Sequence, residues 1–305
     1  MIKKFGKLLL STVLACGLMA CSSQQTAQTE EVVEEPVKIL CPTGAPALAI
    51  LGAVENENIT IEYTEGTDLL TAELAKEDSE FDIIVAPTNL GTKIYANTQA
   101  YNLEAVLTWG NLYLVGPEGA DITSANVAAF GEQAVPGLVF KKTYPELNPT
   151  YYSSVQEAQQ ALLTGQAEVA LLAQPVAAAT IAKAKENGTE LTILADVQAA
   201  YQKISGSENI GYPQASIFVK AGNQDKVNYA LTAICTFLSD YNEDSAREII
   251  EEVTPETLGV PSADLAINTW DKQNISYQAA KSCKEDIVDF LNVFGMELPE
   301  GLIVE

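Results

Sequence analysis

One unit recurs along this chain and restricts the folds open to it: a short apolar strand, a loop of small residues, and a proline that opens a helix. The first copy is Val37 to Cys41, then Pro42 to Ala45, then Pro46 with a helical run from Ala47 to Val54. A second is Ala128 to Phe130, Gly131 to Val135, then Pro136 and a short segment towards Lys142. A third is Val169 to Ala173, Gln174, then Pro175 and a helix to about Asn187. Asp82 to Ala86 is a similar buried strand, followed by Pro87 to Gly91. Proline suits the first helical position, where the N–H it lacks would find no partner anyway. Strands alternating with helices predict a parallel-rich α/β sheet, and such sheets hold ligands beyond the C-terminal ends of their strands. Small residues there also serve simply to make tight turns; several such loops in one chain favour a shared cleft.

Other helices are signposted by their ends. Thr67 is placed to cap a helix from Asp68 to Lys76. Ser154 and Glu157 form a capping box, Gly165 closes that helix, and Val155, Ala158, Ala161 and Leu162 make its inward stripe. Val227 to Leu238, Ser245 to Val253 and Ser282 to Phe294 predict three more, so the end of the chain reads as helix-rich. Two segments read as crossings between lobes. Ala105 to Val115 is a long extended run interrupted at Trp109, Gly110 and Asn111, and Gly211 to Val219 resembles its return partner. They divide the body into lobe 1 (37–110 and 212–305) and lobe 2 (111–211). The ligand cleft lies between the lobes and the crossings form the hinge.

Composition narrows the function. The 305 residues carry 17 Lys and Arg against 41 Asp and Glu, a net charge of −24, and no His. Nucleic-acid binding needs clustered cations, and the only Arg is Arg247. Without His there is no Ser-His-Asp or Cys-His catalysis and no imidazole metal site. Lys3, Lys4 and Lys7 precede an apolar run from Leu8 to Ala20, too short to span a bilayer, and Leu18-Met19-Ala20-Cys21 resembles a bacterial lipobox. Residues 1–20 therefore read as a lipoprotein signal peptide, Cys21 as the lipidated residue, and 21–36 as an acidic tether that cannot bury enough apolar surface to order itself. The expected location is the extracytoplasmic face of the bacterial membrane.

Lipobox, tether, Thr43-Gly44-Ala45-Pro46-Ala47 after the first strand, Ala86 to Gly91 after a later one, and the two crossings together resemble a bacterial ABC-importer substrate-binding lipoprotein. The nearest cluster is the nitrate/sulfonate/taurine and thiamine-pyrimidine binding type, which Ser153 to Ala158 and Gly165 to Pro175 also resemble. The resemblance implies the type II periplasmic-binding fold, two α/β lobes closing over a small molecule, and an ABC permease as partner. Members often carry Glu before the proline where this chain has Gln174, which speaks against a cationic ligand contact there.

Candidate ligand residues follow from loops at strand ends: Thr43, Gly44, Ala45 and Pro46; Thr88 and Asn89; Trp109, Gly110 and Asn111; Val135, Pro136 and Gly137; Tyr152; Gln174; Tyr212 and Gln214. Helix N-termini at Pro46 and Pro136 predict free N–H donors aimed at the cleft. Trp109, Tyr152 and Tyr212 are placed to stack on a flat ring. Lys93, Lys141 and Lys142, the nearest cations, read as solvated. A neutral, zwitterionic or singly charged molecule is expected, with no cofactor, no metal and a monomeric chain. The rival readings are a surface-anchored hydrolase, for which no nucleophile motif is visible, and a structural surface lipoprotein, for which no repeats are. Cys41 reads as a buried small hydrophobe; Cys235 and Cys283 could form a disulfide in an oxidising space.

The lipobox makes a direct prediction. Cys21→Ser should yield an unlipidated or uncleaved chain, read by metabolic labelling with a fatty acid; normal labelling would remove Cys21 as the anchor.

Overall fold

The computed structural model describes residues 34–304. The expected signal segment, Cys21 and most of the tether lie outside them. The first half runs β1 (Val37–Pro42), α1 (Ala45–Ala49), β2 (Ile59–Thr64), α2 (Asp68–Leu74), β3 (Ile83–Pro87), α3 (Thr88–Thr98) and β4 (Tyr101–Thr108). The chain then crosses into β5 (Leu112–Gly116), β6 (Val127–Phe130), α4 (Val135–Thr143), β7 (Thr150–Tyr152), α5 (Val155–Leu163), β8 (Val169–Ala173), α6 (Val176–Glu186), β9 (Thr192–Asp196) and α7 (Val197–Ser205). It returns through β10 (Ala215–Lys220) and a helical stretch, α8 (Gln224–Ser239), α9 (Glu243–Val253), α10 (Pro255–Leu258), α11 (Ala263–Asn268) and α12 (Trp270–Gln273). It ends with β11 (Ile275–Ala279) and α13 (Lys284–Val293).

Two sheets result, ordered β11-β4-β10-β3-β1-β2 and β7-β6-β8-β5-β9. Both are mixed. β1 pairs parallel with β2 and β3, and β6 parallel with β7 and β8, but β10 and β5 run antiparallel to their neighbours. The reason is the crossings. A chain that leaves one sheet at the C-terminal edge of its strands enters the other at that edge, and so runs against the parallel strands there.

Alternation along the strands sorts the core. Ile39, Cys41, Val85 and Ile217 join one apolar cluster with α1, α8 and α9; Leu40, Ile84 and Phe218 join a second on the other face. α13 belongs to both halves. Ile287 and Leu291 pack into the first sheet's cluster, whereas Phe290 lies in a second-sheet cluster with Val197, Tyr201 and Tyr212. Asp286 on the same helix accepts hydrogen bonds from the Ser207 hydroxyl and from Asn209 Nδ2.

Several local expectations change. The helix expected over 47–54 is α1 plus a separate 3-10 turn at Leu51–Ala53. Pro175 is the residue before α6 rather than its first, and Thr67 precedes α2 without a side-chain capping bond. The capping box on α5 forms with a shift: Glu157 N–H donates to Ser154 Oγ at 3.2 Å, but the Glu157 carboxylate accepts from Ser153 N–H at 2.9 Å. β11 sits inside the stretch read as helix-rich and is not among its expected elements. Glu34 and Glu35, read as free tether, are held by Asn56 Nδ2 (3.2 Å) and the Tyr229 hydroxyl (2.9 Å). Cys41, Cys235 and Cys283 are free thiols, with Cys41 and Cys283 buried and Cys235 exposed.

The return crossing depends on Gly211, which has φ +105°, and a Cβ there would collide with the Trp109 carbonyl oxygen. Gly211→Ala should cost about 3 kcal/mol or more in urea unfolding, from strain plus displacement of buried backbone. Gly119→Ala has φ +80° but open space around it, so only the left-handed backbone cost of about 1–2 kcal/mol applies. Equal losses at the two sites would show that the contact with Trp109 carries no weight.

Candidate functional site

The C-terminal edge of the first sheet is tied together by the two crossings. β3 ends opposite the start of β10, at Pro87 and Ala215, and β4 ends there at Thr108. Gln214 N–H donates to the Thr108 carbonyl at 2.9 Å and the Gln214 carbonyl accepts from Thr88 N–H at 3.1 Å. Ala215 N–H reaches Thr108 Oγ1 at 3.1 Å, and the Thr88 and Ser216 hydroxyls share a 2.7 Å hydrogen bond. Both threonine hydroxyls are therefore committed within the sheet. One residue further out, the Trp109 carbonyl accepts from Tyr212 N–H at 3.1 Å and Asn274 Nδ2 at 2.8 Å. Asn274 Nδ2 also reaches the Ile210 carbonyl at 2.9 Å, and the Asn274 carbonyl accepts from Trp109 N–H at 2.9 Å. Asn274 thus clamps the outgoing and returning chains.

The second sheet begins three residues later. Leu112 faces Ala173 in register, which sets Asn111 opposite Gln174. Gln174 N–H donates to the Asn111 carbonyl at 3.0 Å, and Asn111 Nδ2 donates to the Gln174 carbonyl at 3.0 Å. Gln174 Oε1 accepts from Ala178 N–H at 3.2 Å, capping the first turn of α6. Gln198, at the start of α7, holds Leu112 at both backbone groups: Oε1 accepts its N–H at 2.7 Å and Nε2 donates to its carbonyl at 3.0 Å. The Tyr113 hydroxyl donates to the Lys272 carbonyl at 2.8 Å, a direct bond from β5 to α12 in the other half.

Nine buried side-chain polar atoms have no hydrogen-bond partner among the described residues. Six lie on the loops and crossings just described: Asn89 Oδ1, Trp109 Nε1, Asn111 Oδ1, Gln174 Nε2, Tyr212 Oη and Gln214 Oε1. Unpaired buried groups cost about 1–3 kcal/mol each and are few in folded proteins. Their concentration at one junction singles it out as the candidate site. The set is neutral. Burial pushes the Tyr212 phenol well above its ordinary pKa, with the nearby Tyr201 and Asp196 acting in the same direction, so it stays protonated.

The other expected residues divide differently. Free N–H arrays at α1 and α4 are not formed. Gly44 N–H goes to the Leu258 carbonyl at 2.7 Å, Ala47 and Leu48 N–H return to Gly44, and Pro46 has none to give. Gly137 N–H is spent on Gly131 at 3.0 Å, beside Val135 and Pro136, and Leu138 N–H on Ala134. Gly259, in the turn after α10, packs on Thr43, and Ala45 is buried. Trp109 lies in an apolar cluster with Val106, Phe218 and Ile287. Tyr212 stacks on Phe290 at 5.7 Å and meets Tyr201 edge-on at 5.2 Å, and Gly110 packs against its ring. Both rings are thus occupied by protein, and only their polar atoms stay unpaired. Tyr152 lies on β7, three strands from β5, about 14 Å away at ordinary strand spacing. Lys93, Lys141 and Lys142 are exposed. Gln198, Asn274 and Tyr113 carried no sequence signal, because each acts through a partner more than 80 residues away.

No protein-family model matches this chain, and no curated protein does. Solved structures do. An ABC transporter protein from Parabacteroides distasonis superposes with a TM-score of 0.73 at 20% identity, covering 88% of this chain and 99% of that one. The periplasmic aliphatic sulphonate binding protein SsuA from Escherichia coli gives 0.64 at 11% identity, covering 89% and 92%. The ligand binding component of an ABC-type import system from Staphylococcus aureus, with zinc bound, gives 0.58 at 12% identity, covering 89% and 96%. The fold is that of the two-lobed periplasmic-binding proteins. These neighbours are transport proteins, and a sulphonate and zinc in their names show that the fold by itself does not choose a ligand.

The Gln198 clamp yields a stability prediction. Gln198→Met removes the partners of both Leu112 backbone groups and should cost about 2–3 kcal/mol in urea unfolding. Gln198→Glu, which keeps the acceptor but buries a carboxylate against the Leu112 carbonyl and Asp196, should cost at least as much.

Proposed function

We propose that this chain is a lipid-anchored solute-binding protein that captures a small polar organic molecule between its two halves and delivers it to the permease of an ABC importer. One observation carries the reading: six unpaired, buried, neutral polar atoms gathered where two chain crossings join two α/β halves. The fold and its transport neighbours support it. Among the described residues no helix is long and apolar enough to cross a membrane, in keeping with attachment through Cys21 and the acidic tether on the extracytoplasmic face.

In this reading lobe 1 comprises 37–110 and 212–305, and lobe 2 comprises 111–211. Both contribute: Asn89, Trp109, Tyr212 and Gln214 from one, Asn111 and Gln174 from the other. The crossings act as hinge, and the Tyr113 hydroxyl holds the closed arrangement through Lys272. A ligand held by amides, an indole N–H and a phenol is neutral, zwitterionic or singly charged. Among the described residues no guanidinium or ammonium shares the cluster of unpaired atoms to neutralise a multiply charged anion.

Native mass spectrometry of the chain purified without denaturation should reveal a co-purified small molecule. Adding that molecule to stripped protein should shrink the radius of gyration and raise Tm; a hundredfold excess over Kd contributes about 2.7 kcal/mol. Asn89→Ala and Gln214→Ala should weaken binding while leaving the fold intact. A genuine ligand that changes neither the scattering nor its affinity in both variants would place binding elsewhere.

A further inference from the structure

The backbone decides which end of each amide in the Asn111–Gln174 pair is left over. Ala178 N–H can only donate, so the atom of Gln174 that it meets is Oε1, and Nε2 remains. The Gln174 carbonyl can only accept, so Asn111 turns Nδ2 towards it, and Oδ1 remains. Neither residual atom has a partner among the described residues, and Asn111 and Gln174 are only 4% and 3% exposed. Residues directly opposite in an antiparallel pair project from the same face, with Cβ atoms about 5 Å apart. By the two-residue alternation of β5 this is also the face of Tyr113, whose hydroxyl reaches across to α12 in the other half. The junction therefore presents one donor and one acceptor side by side, with polarity that neither side chain can reverse without breaking a backbone bond.

We infer that Asn111 and Gln174 read a cis-amide edge, an N–H and a C=O on the same side of a small neutral ligand such as a lactam, cyclic imide, urea or primary amide. This rests on the solute-binding reading and names its ligand class. The N–H of such an edge donates to Asn111 Oδ1 while its carbonyl accepts from Gln174 Nε2. A carboxylate, nitrate or sulfonate offers acceptors only, and would set an anionic oxygen against Asn111 Oδ1. An ammonium offers donors only, and would meet the Gln174 amino group. A secondary open-chain amide is trans and turns its donor and acceptor to opposite sides. The pair therefore rejects ions and trans amides for the same reason that it accepts a cis one, since each wrong ligand leaves a buried polar group unpaired.

The test uses the full chain in detergent, stripped of bound small molecules, titrated calorimetrically with 2-piperidone and uracil. N-methyl-2-piperidone, 1,3-dimethyluracil and taurine serve as controls. The expected result is binding of the first two at least tenfold tighter than their methylated analogues, the equivalent of about 1.4 kcal/mol for the Asn111 acceptor left unmatched. Gln174→Glu keeps an acceptor for Ala178 N–H, so the cap survives, although a buried carboxylate should lower Tm. It replaces the donor that the ligand carbonyl needs by an acceptor, so 2-piperidone and uracil should bind at least tenfold more weakly. Methylated and unmethylated probes binding alike to the parent chain, no binding of either at saturation, or an unchanged affinity in folded Gln174→Glu each overturns the inference. A co-purified compound that lacks a cis-amide edge yet shrinks the radius of gyration overturns it while leaving the solute-binding reading in place. A chain that neither retains nor responds to any small molecule defeats that reading itself.

Discussion

The outgoing and returning chains are tied together by hydrogen bonds to the Trp109 carbonyl. Tyr212 N–H from the returning chain and the Asn274 side chain both end on it, and Asn274 returns its own carbonyl to Trp109 N–H. The close approach is possible because residue 211 is glycine. From this knot β4 and β10 run into one sheet and β5 into the other. The antiparallel placement of β5 and β10 in otherwise parallel strand sets, the meeting of the two C-terminal edges, and the gathering of polar side chains between them all follow.

Polar groups at this junction fall into two sets. Backbone groups exposed by the crossings are satisfied with care: Gln198 serves both of Leu112, and Thr108 and Thr88 serve the edge at Ala215 and Gln214. Side-chain atoms of Asn89, Trp109, Asn111, Gln174, Tyr212 and Gln214 are not. In a low-dielectric site such atoms are expensive when unpaired and discriminating when paired. Neutral groups avoid the far larger penalty of burying a charge, which suits an acidic chain with a single arginine.

α13 adds a constraint that two crossings alone would not impose. Its Ile287 and Leu291 are core of the first half, while its Phe290 stacks on Tyr212 in a cluster shared with Val197 and Tyr201 of the second half. Relative motion of the halves must therefore repack or carry this helix. Tyr113 adds a polar contact of the same kind at α12.

Local pattern was enough to read much of this chain. Strand cores such as 83–86 and 169–173 stand out as apolar runs, Ser154 and Gly165 bound their helix, and the polar interruption at 109–111 marks a strand that changes sheet. These signals live within a few residues, where sterics and burial act directly. The loops at strand ends were legible for the same reason, and six of their side chains carry the unpaired atoms. The direction of those side chains was not. Whether the N–H groups at Pro46 and Pro136 are free depends on Leu258 and Gly131, and whether Tyr212 offers a face or only a hydroxyl depends on Phe290. The donor left on Gln174 depends on Ala178, and the acceptor left on Asn111 depends on a backbone carbonyl 63 positions away. Sequence alone determined the strand-end loops and the break between sheets, because periodicity and chain connectivity are local properties. The tertiary structure decided which of their atoms remain unspent, because a hydrogen bond is settled by whatever partner the fold brings within about 3 Å.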